Sequence, residues 1–102
     1  MHKIIQVQVP KYPVLRITFD DGMVGDIDLR DEIATKPMFA ELKGKAFFNQ
    51  VALRDNGYSL GWKLDHVFEE IDFSADGLRT DIETQLVRQA AARYRAKLKA
   101  AE

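Results

Sequence analysis

Apolar and polar residues alternate along the first third of the chain. Ile5, Val7 and Val9 stand against Gln6 and Gln8, which predicts a strand over residues 4–9. Pro10 and Pro13 bracket an expected break, because proline has no amide proton to give to a sheet ladder. Over residues 14–19 the alternation resumes, with Leu15, Ile17 and Phe19 on one face and Val14, Arg16 and Thr18 on the other. Asp20-Asp21-Gly22 then supplies the chemistry of a tight turn, and Met23 to Leu29 returns with Ile27 and Leu29 inward. This is the signature of a β-hairpin.

From Arg30 to Gln50 the spacing of Ile33, Phe39, Leu42, Phe47 and Phe48 is irregular, and Pro37 and Gly44 interrupt it. One or two short helical turns laid across a sheet fit this stretch. A second hairpin follows: Val51 and Leu53 go out, Asp55-Asn56-Gly57 turns, and Tyr58, Leu60 and Trp62 return. Between Lys63 and Gly77, Val67-Phe68 and Ile71-Asp72-Phe73 read as short strand pieces, and Ser74-Ala75-Asp76-Gly77 as a turn.

The last fifth of the chain reads as one long helix. Thr80-Asp81-Ile82-Glu83 matches a capping box, alanines fill the middle, and Lys and Arg gather toward the end. A helix over about 81–100 is ~30 Å long. At ~100° per residue, Ile82, Leu86, Ala90, Tyr94 and Leu98 form a drifting ladder, widened by Val87 and Ala91. The first three turns are expected to dock on a core. Arg93 and Lys97 fall where that apolar stripe began, so the last two turns must leave the packing. The resulting expectation is an α+β fold in one domain over residues 1–102. It has a small antiparallel sheet of two β-hairpins plus an N-terminal strand, short middle helical turns and one long C-terminal helix. The core spans about 3–78, with Trp62, Phe19, Phe39 and Leu86 in or near it.

Composition adds two constraints. The absence of cysteine removes disulfides, thiolate nucleophiles and zinc–thiolate sites. The net charge of −1 conceals an asymmetry: residues 1–83 carry −5, whereas residues 84–102 carry +4. An acidic body with a basic tail suits pairing with itself, with a neighbouring subunit or with an anionic partner. No apolar run approaches the ~18 residues needed to cross a bilayer, and no signal-like apolar stretch follows Met1. A cytoplasmic, bacterial-type protein without membrane association is the expectation.

Candidate chemistry is sparse. His2 lies at a terminus, and His66 follows Asp65 in a segment where neighbours point to opposite faces. Asp20, Asp21, Asp26 and Asp28 cluster around the first hairpin, but turn chemistry accounts for the first two and no EF-hand spacing is present. Ser59 and Ser74 occupy no nucleophile elbow, and the glycines form no phosphate-cradling loop. No catalytic residue, metal site or cofactor is assigned. The binding surface expected instead is the basic helix, through Arg88, Arg93, Arg95, Lys97 and Lys99. Of these, Arg88, Arg95 and Lys99 fall within ~40° of one another, a ridge suited to phosphate or carboxylate. A homodimer through Tyr94 and Leu98 is a further expectation.

The chain also resembles the bacterial DUF2442 family. The likeness rests on Tyr12-Pro13-Val14-Leu15-Arg16-Ile17-Thr18-Phe19, Asp21-Gly22 and Gly25-Asp26-Ile27-Asp28-Leu29. It continues through Phe39, Leu42, Phe47-Phe48 with Val51, Leu60-Gly61-Trp62, and Ile71-Asp72-Phe73 with Leu78. It spans roughly residues 3–78 and departs at Lys63, where the family often has proline. The resemblance implies an α+β fold with no established activity. It also implies a regulatory or binding role, since some relatives look paired with a co-encoded small protein in toxin–antitoxin fashion. Others carry a C-terminal helix-turn-helix, for which one helix after Leu78 is too few. Together these readings predict a non-enzymatic binding module. Its partner is an acidic protein or nucleic acid or, alternatively, a co-encoded small protein that it serves as an antitoxin-like subunit; a third reading, an enzyme or metal-binding protein, needs the fold to gather Asp26 or Asp28 with His66 in one pocket.

Overall fold

The computed structural model describes residues 2–62 and 71–101. Strands β1 (Ile4–Lys11), β2 (Val14–Phe19) and β3 (Val24–Asp28) form an antiparallel sheet in the order β1-β2-β3. Helix α1 (Arg30–Thr35), a 3-10 stretch (Pro37–Lys43) and α2 (Lys45–Phe48) follow. Strands β4 (Ala52–Arg54), β5 (Ser59–Trp62) and β6 (Ile71–Ser74) make a second antiparallel sheet in the order β4-β5-β6, and helix α3 (Ala75–Ala101) ends the chain. The α+β class is the one the pattern predicts. The two hairpins, however, sit in separate sheets rather than in one, because β6 completes the second sheet beside β5. The expected strand at Ile71-Asp72-Phe73 is therefore present, while Val67-Phe68 and His66 lie outside the described residues.

The hairpin β2–β3 forms as the Asp20-Asp21-Gly22 signal demands: the Phe19 amide donates to the Met23 carbonyl and the Asp21 carboxylate takes the Met23 amide. Leu15, Ile17 and Phe19 are buried on one face, as is Ile27 opposite them. Strand β1 differs from its prediction. Ile4 pairs with Phe19 and Gln6 with Thr18, so Ile5 is the extra residue of a bulge and is 59% exposed. The bulge shifts the phase: Ile4, not Ile5, enters the core, and Val7 and Val9 pack against it. A second irregularity between Gln8 and Lys11 lets Pro10 remain within the strand. An edge strand tolerates this because one side of it needs no ladder donor.

The two sheets meet where Gly57 faces Ile4. Asp55, Asn56 and Gly57 all adopt left-handed backbone conformations, and a Cβ on Gly57 would run into the Ile4 carbonyl oxygen. Beneath the sheets lies a chain of aromatic contacts. The Phe48 ring meets Tyr12 edge-on at 5.1 Å and Trp62 at 5.5 Å, and Trp62 meets Phe73, which stacks on Phe39. The fully buried Trp62 indole donates to the Phe48 carbonyl at 2.8 Å, fastening the middle helical segment to β5.

The buried residues of helix α3 are Ala75, Leu78 and Ile82. Ile82 lies directly against Gly25 of β3, in the space a side chain there would fill. Leu86, expected near the core, is 43% exposed, because it lines an open groove beside Arg16, Val24 and Asp26 rather than packing between the layers. With 27 residues α3 is ~40 Å long, and the molecule measures 57 × 30 × 20 Å. Its radius of gyration of 15.8 Å exceeds the ~13 Å of a compact domain this size, as a projecting helix requires.

The Gly25–Ile82 contact is directly testable. Gly25→Ala should cost about 1–3 kcal/mol by overpacking, and Ile82→Ala about 2–5 kcal/mol by leaving a void. In the double variant the new methyl occupies space that Ile82 vacates, so its loss of stability, read by urea unfolding, should be clearly smaller than the sum.

Candidate interaction helix

Helix α3 begins six residues earlier than its capping-box prediction. Ser74 is the residue that caps it, its Oγ accepting from the Gly77 amide at 3.0 Å. Thr80 is already inside the helix, where its hydroxyl donates to the Asp76 carbonyl, and Glu83 turns to Arg79 rather than back to Thr80. The expected turn at Ser74-Ala75-Asp76-Gly77 is thus the cap and first turn of α3, and no linker separates the helix from β6.

Arg79 holds this docked end in place. Its Nη1 and Nη2 donate to both oxygens of Asp21 at 2.9 and 2.8 Å, and its Nε donates to Glu83 at 2.7 Å. The guanidinium also lies 5.0 Å from the centre of the Phe19 ring. Arg79 and Asp21 are 58 residues apart in sequence, so the clamp ties the β2–β3 turn to α3. Hydrogen bonds from Arg79 hold the Asp21 carboxyl well below its ordinary value, and Asp21 with Glu83 raises Arg79 further above the basic range. Sequence reasoning passed over Arg79; its spacing of four from Glu83 was the available signal.

The carboxylates around the first hairpin are likewise occupied by the fold. Asp26 takes a two-point contact from Arg16 at 2.9 and 3.1 Å, which raises the Arg16 value, and Asp28 accepts from the Arg30 amide. His2 approaches Asp20 at 3.4 Å and Asp21 at 3.7 Å, and these three are exposed.

Beyond the clamp the helix stands bare. From Leu86 to Ala101 every residue is exposed except the half-buried Ala91. Arg88, Arg93, Arg95, Lys97 and Lys99 all lie on this stretch, and among the described residues no ion pair engages them. Arg88, Arg95 and Lys99 share one side, as predicted, whereas Arg93 and Lys97 fall on the side that faced the body lower down. Val87, Tyr94 and Leu98 are 69%, 65% and 50% exposed. They lie ~120–160° around the axis from Ile82, so the expected single ladder is two stripes on different sides of the helix. No described helix is long and apolar enough to cross a membrane.

The fold and the bare helix define an α+β body carrying a projecting basic arm. A family model described as a protein of unknown function, DUF2442, matches residues 4–84. The chain belongs to this family. The match covers the body and the docked part of α3, and the exposed arm follows it. Neither the curated proteins nor the solved structures yield a match.

The clamp predicts an acid response. A carboxylate whose value is lowered by folding contributes stability above its unfolded value of 3.8, and that contribution fades as pH falls below it. Wild-type protein should therefore lose more stability between about pH 5 and pH 2 than Asp21→Asn or Arg79→Ala, followed by Trp62 fluorescence. Equal slopes would mean that the pair adds nothing to folding.

Proposed function

We propose that this protein is a non-enzymatic binding module whose working surface is the exposed arm of α3, and that its partner is an acidic macromolecule. One observation carries the reading: the arm offers five cations on a rigid helix, and no carboxylate interrupts the run between Glu83 and Glu102. The ridge of Arg88, Arg95 and Lys99 is spaced to follow phosphates or carboxylates along one side. A cytoplasmic location belongs to the same proposal. The absence of a catalytic role does too: of the two carboxylates beside His2, Asp21 is already committed to Arg79, and Asp20 lies with His2 on the open surface.

A second reading, a dedicated co-encoded protein partner, draws support from Val87, Tyr94 and Leu98. Apolar side chains held in solvent serve a protein interface better than a phosphate backbone.

Gel-shift titration against duplex DNA and single-stranded RNA at several salt concentrations tests the first reading. Replacing Arg88, Arg95 and Lys99 together by alanine should weaken binding more than tenfold at low salt. It should also flatten the slope of log affinity against log salt by ~0.7–0.9 for each phosphate that is no longer neutralised. Absence of binding by the wild type at low salt overturns the nucleic-acid form. Co-purification of the neighbouring gene product, abolished by Tyr94→Ser with Leu98→Ser, is the result expected under the second reading.

A further inference from the structure

The exposed apolar residues of the arm have a spacing that neither reading uses. Thr84, Val87, Ala91, Tyr94, Leu98 and Ala101 follow one another at alternating intervals of three and four. That is the seam spacing of a two-helix coiled coil. The seam lies on the side of α3 away from Gly25; Thr84 borders a cleft shared with Asp28, Asp31 and Glu32 of the body, and from Val87 onward its residues are exposed except the half-buried Ala91.

From this spacing we infer that the seam pairs with the same seam of a second copy of the chain, antiparallel, about a two-fold axis near Gln89. Three features select that occupant. The first is volume. Running the seam against itself in this register sets Val87 opposite Ala91, Tyr94 opposite Thr84, Leu98 opposite Thr80 and Ala101 opposite Gly77. Every layer matches a larger side chain with a smaller one, whereas a parallel pairing stacks Tyr94 on Tyr94 and Ala91 on Ala91.

The second feature is charge. The positions flanking the seam read Asp81, Arg88, Arg95 on one side and Glu83, Ala90, Lys97 on the other, so the sign reverses along each flank. In the antiparallel register Asp81 faces Arg95 of the second copy and Glu83 faces Lys97, each pair occurring twice. Only the two Arg88 side chains meet as like charges, on the axis. Asp81, Arg95 and Lys97 are exposed and engaged in no ion pair among the described residues, and Glu83 meets Arg79 through Oε1 alone. The third feature is preorganisation: the helix is already formed and fixed to the body, so pairing does not bear the cost of folding it. The pairing goes beyond the binding reading. It draws on the Arg88 and Arg95 of the proposed anion-binding ridge and leaves Arg93 and Lys99 of both copies uncovered, so the variant that separates loss of the dimer from loss of anion binding is Tyr94→Ser with Leu98→Ser, which removes no cation.

Sedimentation equilibrium of the full chain from about 1 μM to about 1 mM tests the inference. A monomer–dimer equilibrium is expected, weakened at least about tenfold by Tyr94→Ser with Leu98→Ser, which lie on the exposed arm and should leave the far-UV circular dichroism unchanged. Asp81→Arg and Arg95→Asp should each weaken self-association, the first by setting arginines together and the second by setting aspartates together. An equimolar mixture of these two variants restores both charge pairs and should dimerise at least as well as the wild type. A monomer throughout the range overturns the inference. A dimer indifferent to the seam substitutions overturns it too, as does a mixture no tighter than its components. Retained gel-shift binding by a monomeric variant would show that the anionic-partner reading stands without it.

Discussion

The position of α3 depends on an absence: β3 has no side chain at Gly25, and Ile82 fills the gap. A helix packed on a sheet ordinarily stands off by the depth of the intervening side chains. Here one of those is missing, so the helix settles onto the strand itself and buries Ile82 almost completely. Leu78 and Ala75 complete the contact toward β6. No residue of the helix beyond Ile82 is buried, so its later turns stand open to solvent.

The second sheet is too short to stabilise itself, with strands of three or four residues. It is held by the indole of Trp62, which bonds to α2 through Phe48 and touches rings from two neighbouring segments. Gly57 admits the Ile4 backbone at the seam between sheets. The body is thus two small sheets joined by aromatic packing. Of its carboxylates near the first hairpin, Asp21, Asp26 and Asp28 are engaged by its own arginines and amides, and Asp20 faces His2. The arm, by contrast, carries five cations with no ion pair among the described residues and the exposed Val87, Tyr94 and Leu98.

Local signals made much of this legible. Asp-Gly and Asn-Gly turns announced both hairpins, and the alternation in β2 and β3 assigned their buried faces, because these features are decided by neighbours in sequence. What escaped was decided at a distance. Ile5 was assigned inward because a bulge is a property of the pairing between strands, not of either strand alone. The helix start is hard to read because Ser74, Asp76 and Gly77 are residue types that favour turns, while Thr80 and Glu83 imitate a cap that Ser74 makes unnecessary. Arg79 and Asp21 are brought together only by the tertiary fold. The five cations of the arm were plain from composition. The drift of the ladder already separates Tyr94 and Leu98 from Ile82; how early the packing stops along it is fixed only by the tertiary fold.

The direct passage from β6 into α3 at Ser74 has a mechanical consequence. With no intervening loop, the arm is a lever whose fulcrum is the edge of the second sheet. A helix of ~40 Å converts a rotation of ~5° at its base into a displacement of ~3 Å at its tip. Gly25 and Arg79 grip the lever between the fulcrum and the tip, so a load on the arm bears on these two contacts before it reaches the strand.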